Sequence, residues 1–257
     1  MKRIFTLLIA SIIALTASAQ NAVPLRESSD SDLQGRFKAA LEIPVSEKVS
    51  FTWSEQLRTK DSFGSLDKIL SSASVKYTPI KFLELGTEYA FVNEKSGDDW
   101  RIKHRLNLDI TEKLTLGRFD LSLRERVRME FRGYEANRFE SPNPFTTLRT
   151  RLKAAYKNAS RWKPYAYVEI YATLNAAAPV VNYLYDAMVR DNYCNRVRIV
   201  VGSEMKINSK SKMDFHYMLN LNRTYSAKYD AAEGNLQSWA LKKVCAHVIC
   251  VDYKFTL

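Results

Sequence analysis

Four sets of bases that recur on every second residue stand out in this chain. They are Arg101, Lys103 and Arg105; Arg124, Arg126 and Arg128; Arg149, Arg151 and Lys153; and Arg196 with Arg198. A guanidinium stays charged in proteins and presents a planar fork of donors that matches carboxylate and phosphate oxygens, so a surface that gathers these sets attracts and orders anions. The counter-charges on the same faces are Glu42, Glu88, Asp109, Asp120, Glu130, Glu169 and Asp214. Bases outnumber acids. Two readings stand side by side: a cross-strand ion-pair ladder that holds and fills a protein wall, and an excess of positive charge that draws anions through a passage.

Catalytic chemistry is poorly supplied. The three histidines, His104, His216 and His247, have no metal-ligand spacing. Ser203 and Ser226 are the candidate nucleophiles, but no nucleophile motif surrounds either. His104 and His247 fall on apolar faces, which leaves His216 on the charged one. No catalytic, metal or cofactor residue is assigned.

The alternate spacing also defines the elements that carry the charges. From Arg118 to Arg132 the even positions are all polar, while Phe119, Leu121, Leu123, Val127, Met129 and Phe131 are apolar, with Glu125 as the one exception. A period of two is that of a strand with one oily and one charged face. The same device recurs along most of the chain. Phe37 to Ile43 pairs with Val49 to Leu57 as a hairpin, and Trp100 to Ile110 leads into the arginine strand through a turn at Thr111-Glu112-Lys113. Between Trp162 and Ala172 either parity could face outward, and Glu169 is assigned inward because an unpaired carboxylate is costly in hydrocarbon. A final strand alternates to the last residue, with Tyr253 and Phe255 placed for an aromatic girdle.

Ahead of these strands, Lys2 and Arg3 precede an apolar run from Ile4 to Leu15 and the small residues Ala17-Ser18-Ala19, the pattern of a secretory signal peptide over 1–19. Residues 20–34 read as a flexible polar leader, and 35–257 as one barrel domain. Without Lys2 and Arg3 the chain has 37 Lys and Arg against 28 Asp and Glu, a formal charge of +9. An exported basic chain is expected to meet outer-membrane lipid and small anionic solutes rather than nucleic acid. The three cysteines, Cys194, Cys245 and Cys250, read as unpaired, with a Cys194 bridge left open by spacing.

The expected fold is all-β, an antiparallel transmembrane up-and-down β-barrel of about twelve strands with short periplasmic turns and longer outer loops. Eleven segments alternate; a twelfth is expected from the leader or a misjudged segment, since bacterial single-chain barrels have even strand numbers. The longer loops are placed at Thr59 to Lys68, Asn93 to Asp99, Tyr134 to Phe145, Leu174 to Asn192 and up to about Ser238. A soluble barrel would show the same alternation with its faces exchanged. Glu125 is expected to turn inward at a β-bulge beside Arg124 or Arg126.

Several stretches together resemble the DUF2490 family of uncharacterised bacterial outer-membrane proteins. They are Trp53-Ser54-Glu55-Gln56-Leu57-Arg58, the strand from Arg124 to Arg132, Pro164-Tyr165 to Glu169, Asn195-Arg196-Val197-Arg198, and the signal peptide ending Ala-Gln. The resemblance implies a barrel in a Gram-negative outer membrane, with a signal end typical of Bacteroidota, and carries no established activity. The functional expectation is a narrow anion-preferring diffusion channel with an Arg-rich lumen. The alternatives are a closed barrel whose outer loops bind a protein or glycan and, third, a lipid-modifying enzyme.

Overall fold

The computed structural model describes residues 27–135, 142–175, 193–229, 232 and 236–257. They form eleven strands: β1 (Glu27–Pro44), β2 (Val49–Lys60), β3 (Ser65–Ile80), β4 (Leu83–Ser96), β5 (Asp99–Leu116), β6 (Phe119–Arg132), β7 (Phe145–Tyr156), β8 (Trp162–Thr173), β9 (Tyr193–Lys206), β10 (Ser211–Tyr229) and β11 (Leu236–Thr256). Each pairs antiparallel with its chain neighbour, and β1 meets β11 to close a barrel. No helix occurs among the described residues.

Eleven strands replace the expected twelve among the described residues. With alternating directions and an odd count, the first and last strands run the same way, so the closing pair is parallel, in register from Glu27↔Leu241 to Glu42↔Thr256. Parallel pairing is slightly weaker per residue, and this seam carries extra ties. Lys243 pairs with Glu27 at 2.8 Å near one end and Lys254 with Glu42 at 2.5 Å near the other. The Leu257 amide donates to the Glu42 carbonyl at 3.0 Å. β1 begins at Glu27, inside the stretch read as a leader. Residues 1–26, and with them the stretch expected to be a signal peptide, lie outside the described residues.

One end of the barrel has only short connections, at 45–48, 81–82, 117–118, 157–161 and 207–210. The other end mixes the short turns 61–64 and 97–98 with the longer connections 133–144, 174–192 and 230–235. Two expected long loops are therefore corrected. β2 and β3 continue through 59–68 to the turn 61–64, and β4 and β5 through 93–99 to a two-residue turn. These polar stretches lie at a rim where neither face needs to be apolar, so the alternation fades although the backbone ladder continues. The turn at Thr111-Glu112-Lys113 likewise moves to 117–118. Gly97 and Gly117 take φ of 66° and 57° at the first position of these two-residue turns, the left-handed backbone a tight hairpin needs.

Apolar side chains lie on the outside. Leu152 is 56 % exposed and Val201 52 %, with Trp53, Leu108, Ile249 and Tyr253 on the same outer surface. The charged side chains point into the barrel, where Arg149 is 5 % and Glu169 1 % exposed. This is the reverse of a water-soluble barrel, whose apolar set faces inward.

Candidate functional site

The inner wall starts from strand pairing. Across β6 and β7 the register sets Arg124 opposite Arg151 and Arg126 opposite Arg149, two like-charged pairs that would repel. Carboxylates on neighbouring strands offset them. Asp109 on β5 accepts from Arg126 Nε and Nη2, each at 2.5 Å, and Glu88 on β4 lies 3.7 Å from Arg126 and accepts from Asn107 at 2.7 Å.

On the other side stands Glu169, directly opposite Arg151 on β7 and Arg198 on β9. Its oxygens accept from Arg124 at 2.7 Å, from Arg149 at 2.8 Å and from Arg198 at 3.3 Å. The Tyr171 hydroxyl donates to it at 2.9 Å. Three guanidiniums also lie over the Tyr171 ring: Arg149 at 4.5 Å, Arg198 at 4.7 Å and Arg196 at 5.1 Å from its centroid. The ring face is the electron-rich side of an aromatic, so it lowers the repulsion among the three cations that a single carboxylate cannot neutralise.

Towards the end with the longer loops a cavity of about 350 Å³ opens inside the barrel. Ten bases and three carboxylates line it, an excess of seven positive charges. Glu94 holds Lys68 and Lys103, and Glu130 accepts from Arg105 at 2.8 Å. The Thr147 hydroxyl and the Asn195 amide oxygen, on the same wall, are buried without a hydrogen-bond partner among the described residues. A second cavity of about 150 Å³ near the short-turn end is lined by Glu204, Asp214 and Asp252 together with Lys38, Lys212 and Lys254. Lys38 lines both cavities.

Most residues singled out by spacing face this interior. Lys103, Arg105, Arg124, Arg126, Arg128, Arg149, Arg151, Lys153, Arg196 and Arg198 share it with Glu88, Asp109, Glu130, Glu169 and Asp214. Arg151 lies over the Tyr167 ring at 5.3 Å, and Lys153 over Tyr165 at 3.8 Å. Three residues belong to the periphery instead. Arg101 sits at a rim over the Tyr134 ring at 5.0 Å. Asp120 is at the opposite rim, 2.8 Å from Lys157, and Glu42 belongs to the seam. Spacing did not single out Arg36, Lys38, Arg58, Lys68 or Tyr171 as lining residues. The signal was available for Arg36 and Lys38, which alternate with Phe37 and Ala39 on β1.

Glu125 corrects another expectation. β6 runs through it with no bulge, so its side chain stays on the outer face, where Oε2 accepts from Thr150 Oγ1 at 2.7 Å. Other polar groups on that face are partnered in the same way. Tyr89 is hydrogen-bonded to His104 at 2.6 Å, Tyr217 to His247 at 2.5 Å, and Glu55 accepts from Trp53 Nε1 at 3.0 Å. Within the barrel, His216 lies 3.3 Å from Asp214, which also accepts from the Tyr165 hydroxyl at 2.7 Å. Ser203 occupies the opposite parity to the inward strand positions beside His216, so the two do not form a nucleophile and base. Cys194, Cys245 and Cys250 are free thiols.

Fold and interior together define a closed β-barrel with an apolar outer surface and an arginine-rich, ion-paired lumen. A family model described as a protein of unknown function, DUF2490, matches residues 34–230, and the chain belongs to that family. No curated protein matches the chain.

Proposed function

We propose that this chain is a transmembrane barrel of a Gram-negative outer membrane that admits small anions through its arginine-lined lumen. The membrane part of the reading is supported by the outer face. Exposed apolar side chains surround the barrel, and aromatic residues such as Tyr77, Phe119, Trp162 and Tyr253 cluster towards the short-turn end, as at a lipid–water interface. The polar outward residues named above are tied to neighbours on the same face, which lowers the cost of placing them in hydrocarbon.

One observation carries the anion preference: ten bases line the larger cavity, and the carboxylates number five even when Asp109 and Glu169, which hold three of those bases from the wall, are counted with Glu88, Glu94 and Glu130. In a narrow space with low-dielectric walls, an uncompensated positive field raises the local concentration of anions and repels cations. A closed binding barrel is the second reading. It is favoured by an apolar cluster that occupies part of the inner wall, with Tyr165, Val200, Met218, Ala246, Val248 and Cys250 buried together. The deciding experiment is planar-bilayer conductance of the refolded protein under a salt gradient, after boiling has been seen to shift its gel mobility. Steady steps with an anion-selective reversal potential support the channel. A folded protein that conducts nothing overturns it in favour of the closed barrel.

A further inference from the structure

The bases lining the larger cavity fall into two groups. Lys68, Lys103, Arg105, Arg126, Arg149 and Arg198 each hold a carboxylate. Lys38, Arg58, Arg128 and Arg196 have no carboxylate partner among the described residues. Arg58 donates to the neutral Gln56 side chain, at 2.5 Å from Nη2, and Arg128 Nε donates to Asn107 at 3.1 Å. Arg196 has its stacking contact with Tyr171, and its Nε is buried without a hydrogen-bond partner. These four come from four different strands, β1, β2, β6 and β9, and converge on one cavity. Charges of one sign that converge in this way are a cost to the fold, and an ionic partner supplied from outside removes it.

From this convergence we infer that the cavity is a discrete binding site for one compact multivalent oxyanion, of the kind formed by two linked phosphoryl groups. The inference deepens the anion-pathway reading and rests on it. Forked guanidinium donors match the oxygens of a phosphoryl group, and each such bond is charge-assisted. A single halide could engage the field of only part of the set. A ligand with two phosphoryl groups offers oxygens to donors from several strands at once, and the wall is mostly polar, which suits an anion without a hydrocarbon body. The paired bases around it, fixed by Glu94, Glu130, Asp109 and Glu169, hold the wall in shape. The space lies within the range that encloses a small ligand, roughly 300–1,000 Å³.

Titration calorimetry on the refolded, detergent-solubilised barrel tests this directly, with pyrophosphate as probe and orthophosphate as comparison. The expected result is one saturable pyrophosphate site per chain, at least about tenfold tighter than orthophosphate. R128Q and R196Q should each weaken it roughly 10- to 100-fold, the range of a lost charge-assisted hydrogen bond, whereas K157Q at the far rim leaves it unchanged. Should either arginine variant lose its heat-modifiable mobility, R196K replaces it: retained charge without the fork is expected to weaken binding as well. Absence of saturable binding overturns the site, as does equal affinity for the two probes or unchanged affinity in the arginine variants. Binding is measured without conduction, so the two readings fail separately. A barrel that binds but does not conduct removes the channel, and one that conducts but does not bind removes the site.

Discussion

Arg149 Nη2 lies 2.8 Å from both carboxylate oxygens of Glu169, so one nitrogen bridges the whole acid across the β7–β8 pair. Glu169 is 1 % exposed and also holds Arg124 and Arg198. It is the anchor of the inner wall. Removing one partner of a buried ionic cluster leaves the others uncompensated, at a cost of about 3–5 kcal/mol. E169A should therefore lower the unfolding free energy by that order, read as a reduced urea midpoint in lipid vesicles. A midpoint equal to that of the unaltered protein would show that Glu169 is not the anchor.

Arg126 and Arg128 are two residues apart on one strand, yet their substitutions should act differently. Arg126 is paired with Asp109 and Glu88, so R126Q exposes two carboxylates and should both destabilise the barrel by several kcal/mol and lower anion preference. Among the described residues Arg128 has a neutral hydrogen-bond partner, Asn107, and no carboxylate. R128Q loses that one hydrogen bond but also removes a charge that repels its neighbours, so it should change stability by no more than about 1 kcal/mol while still moving the reversal potential towards zero. Raising ionic strength from 0.1 M to 1 M shortens the screening length from ~10 Å to ~3 Å and should shrink this difference. Equal stability losses in the two variants would contradict the assigned partners.

Glu125 faces outward beside Thr150. If that surface meets lipid, E125K should destabilise the barrel by up to ~2–4 kcal/mol near the bilayer midplane, and the double variant E125L–T150V should be at least as stable as the unaltered chain. Unfolding in vesicles gives both numbers. In a protein whose outer face meets water, both changes would stay within about 0.5 kcal/mol, and that result would oppose membrane insertion.

The parallel seam can be tested by cross-linking. Leu41 and Phe255 are register partners on the outer face of β1 and β11. Adjacent strands hold paired Cα atoms within the ~4.4–6.8 Å that a disulfide requires. L41C–F255C should oxidise readily to a species of altered gel mobility. L41C–V251C, four residues out of register, should not. Oxidation of the second pair and not the first would refute the parallel register.

Alternation made much of the wall legible. Arg124, Arg126, Arg128, Arg149, Arg151 and Glu169 could be assigned to one face because a strand's period of two is a local property, and a carboxylate has a strong reason to avoid the oily side. The same reasoning failed at Glu125. A bulge seemed necessary there because the stabilising Thr150 hydroxyl lies on another strand, 25 residues away. The twelfth strand had a different origin: eleven segments alternate, and the even-number rule added one more. Barrel ends beyond the apolar belt need no alternation, so only the first part of β1, from Glu27, reads as a leader.

By itself, the sequence determined which residues share a face, that the described part of the chain is built of strands, and that the charged face is rich in arginine. Inside and outside are equivalent for an alternating pattern, so only barrel closure decided that the charges face the lumen. Closure also decided which of them are neutralised. Arg124 meets Glu169 across 45 residues, and Thr256 reaches Glu42 across 214. Such partnerships depend on register accumulated around the whole barrel. That register left Lys38, Arg58, Arg128 and Arg196, around one cavity, without a carboxylate partner among the described residues.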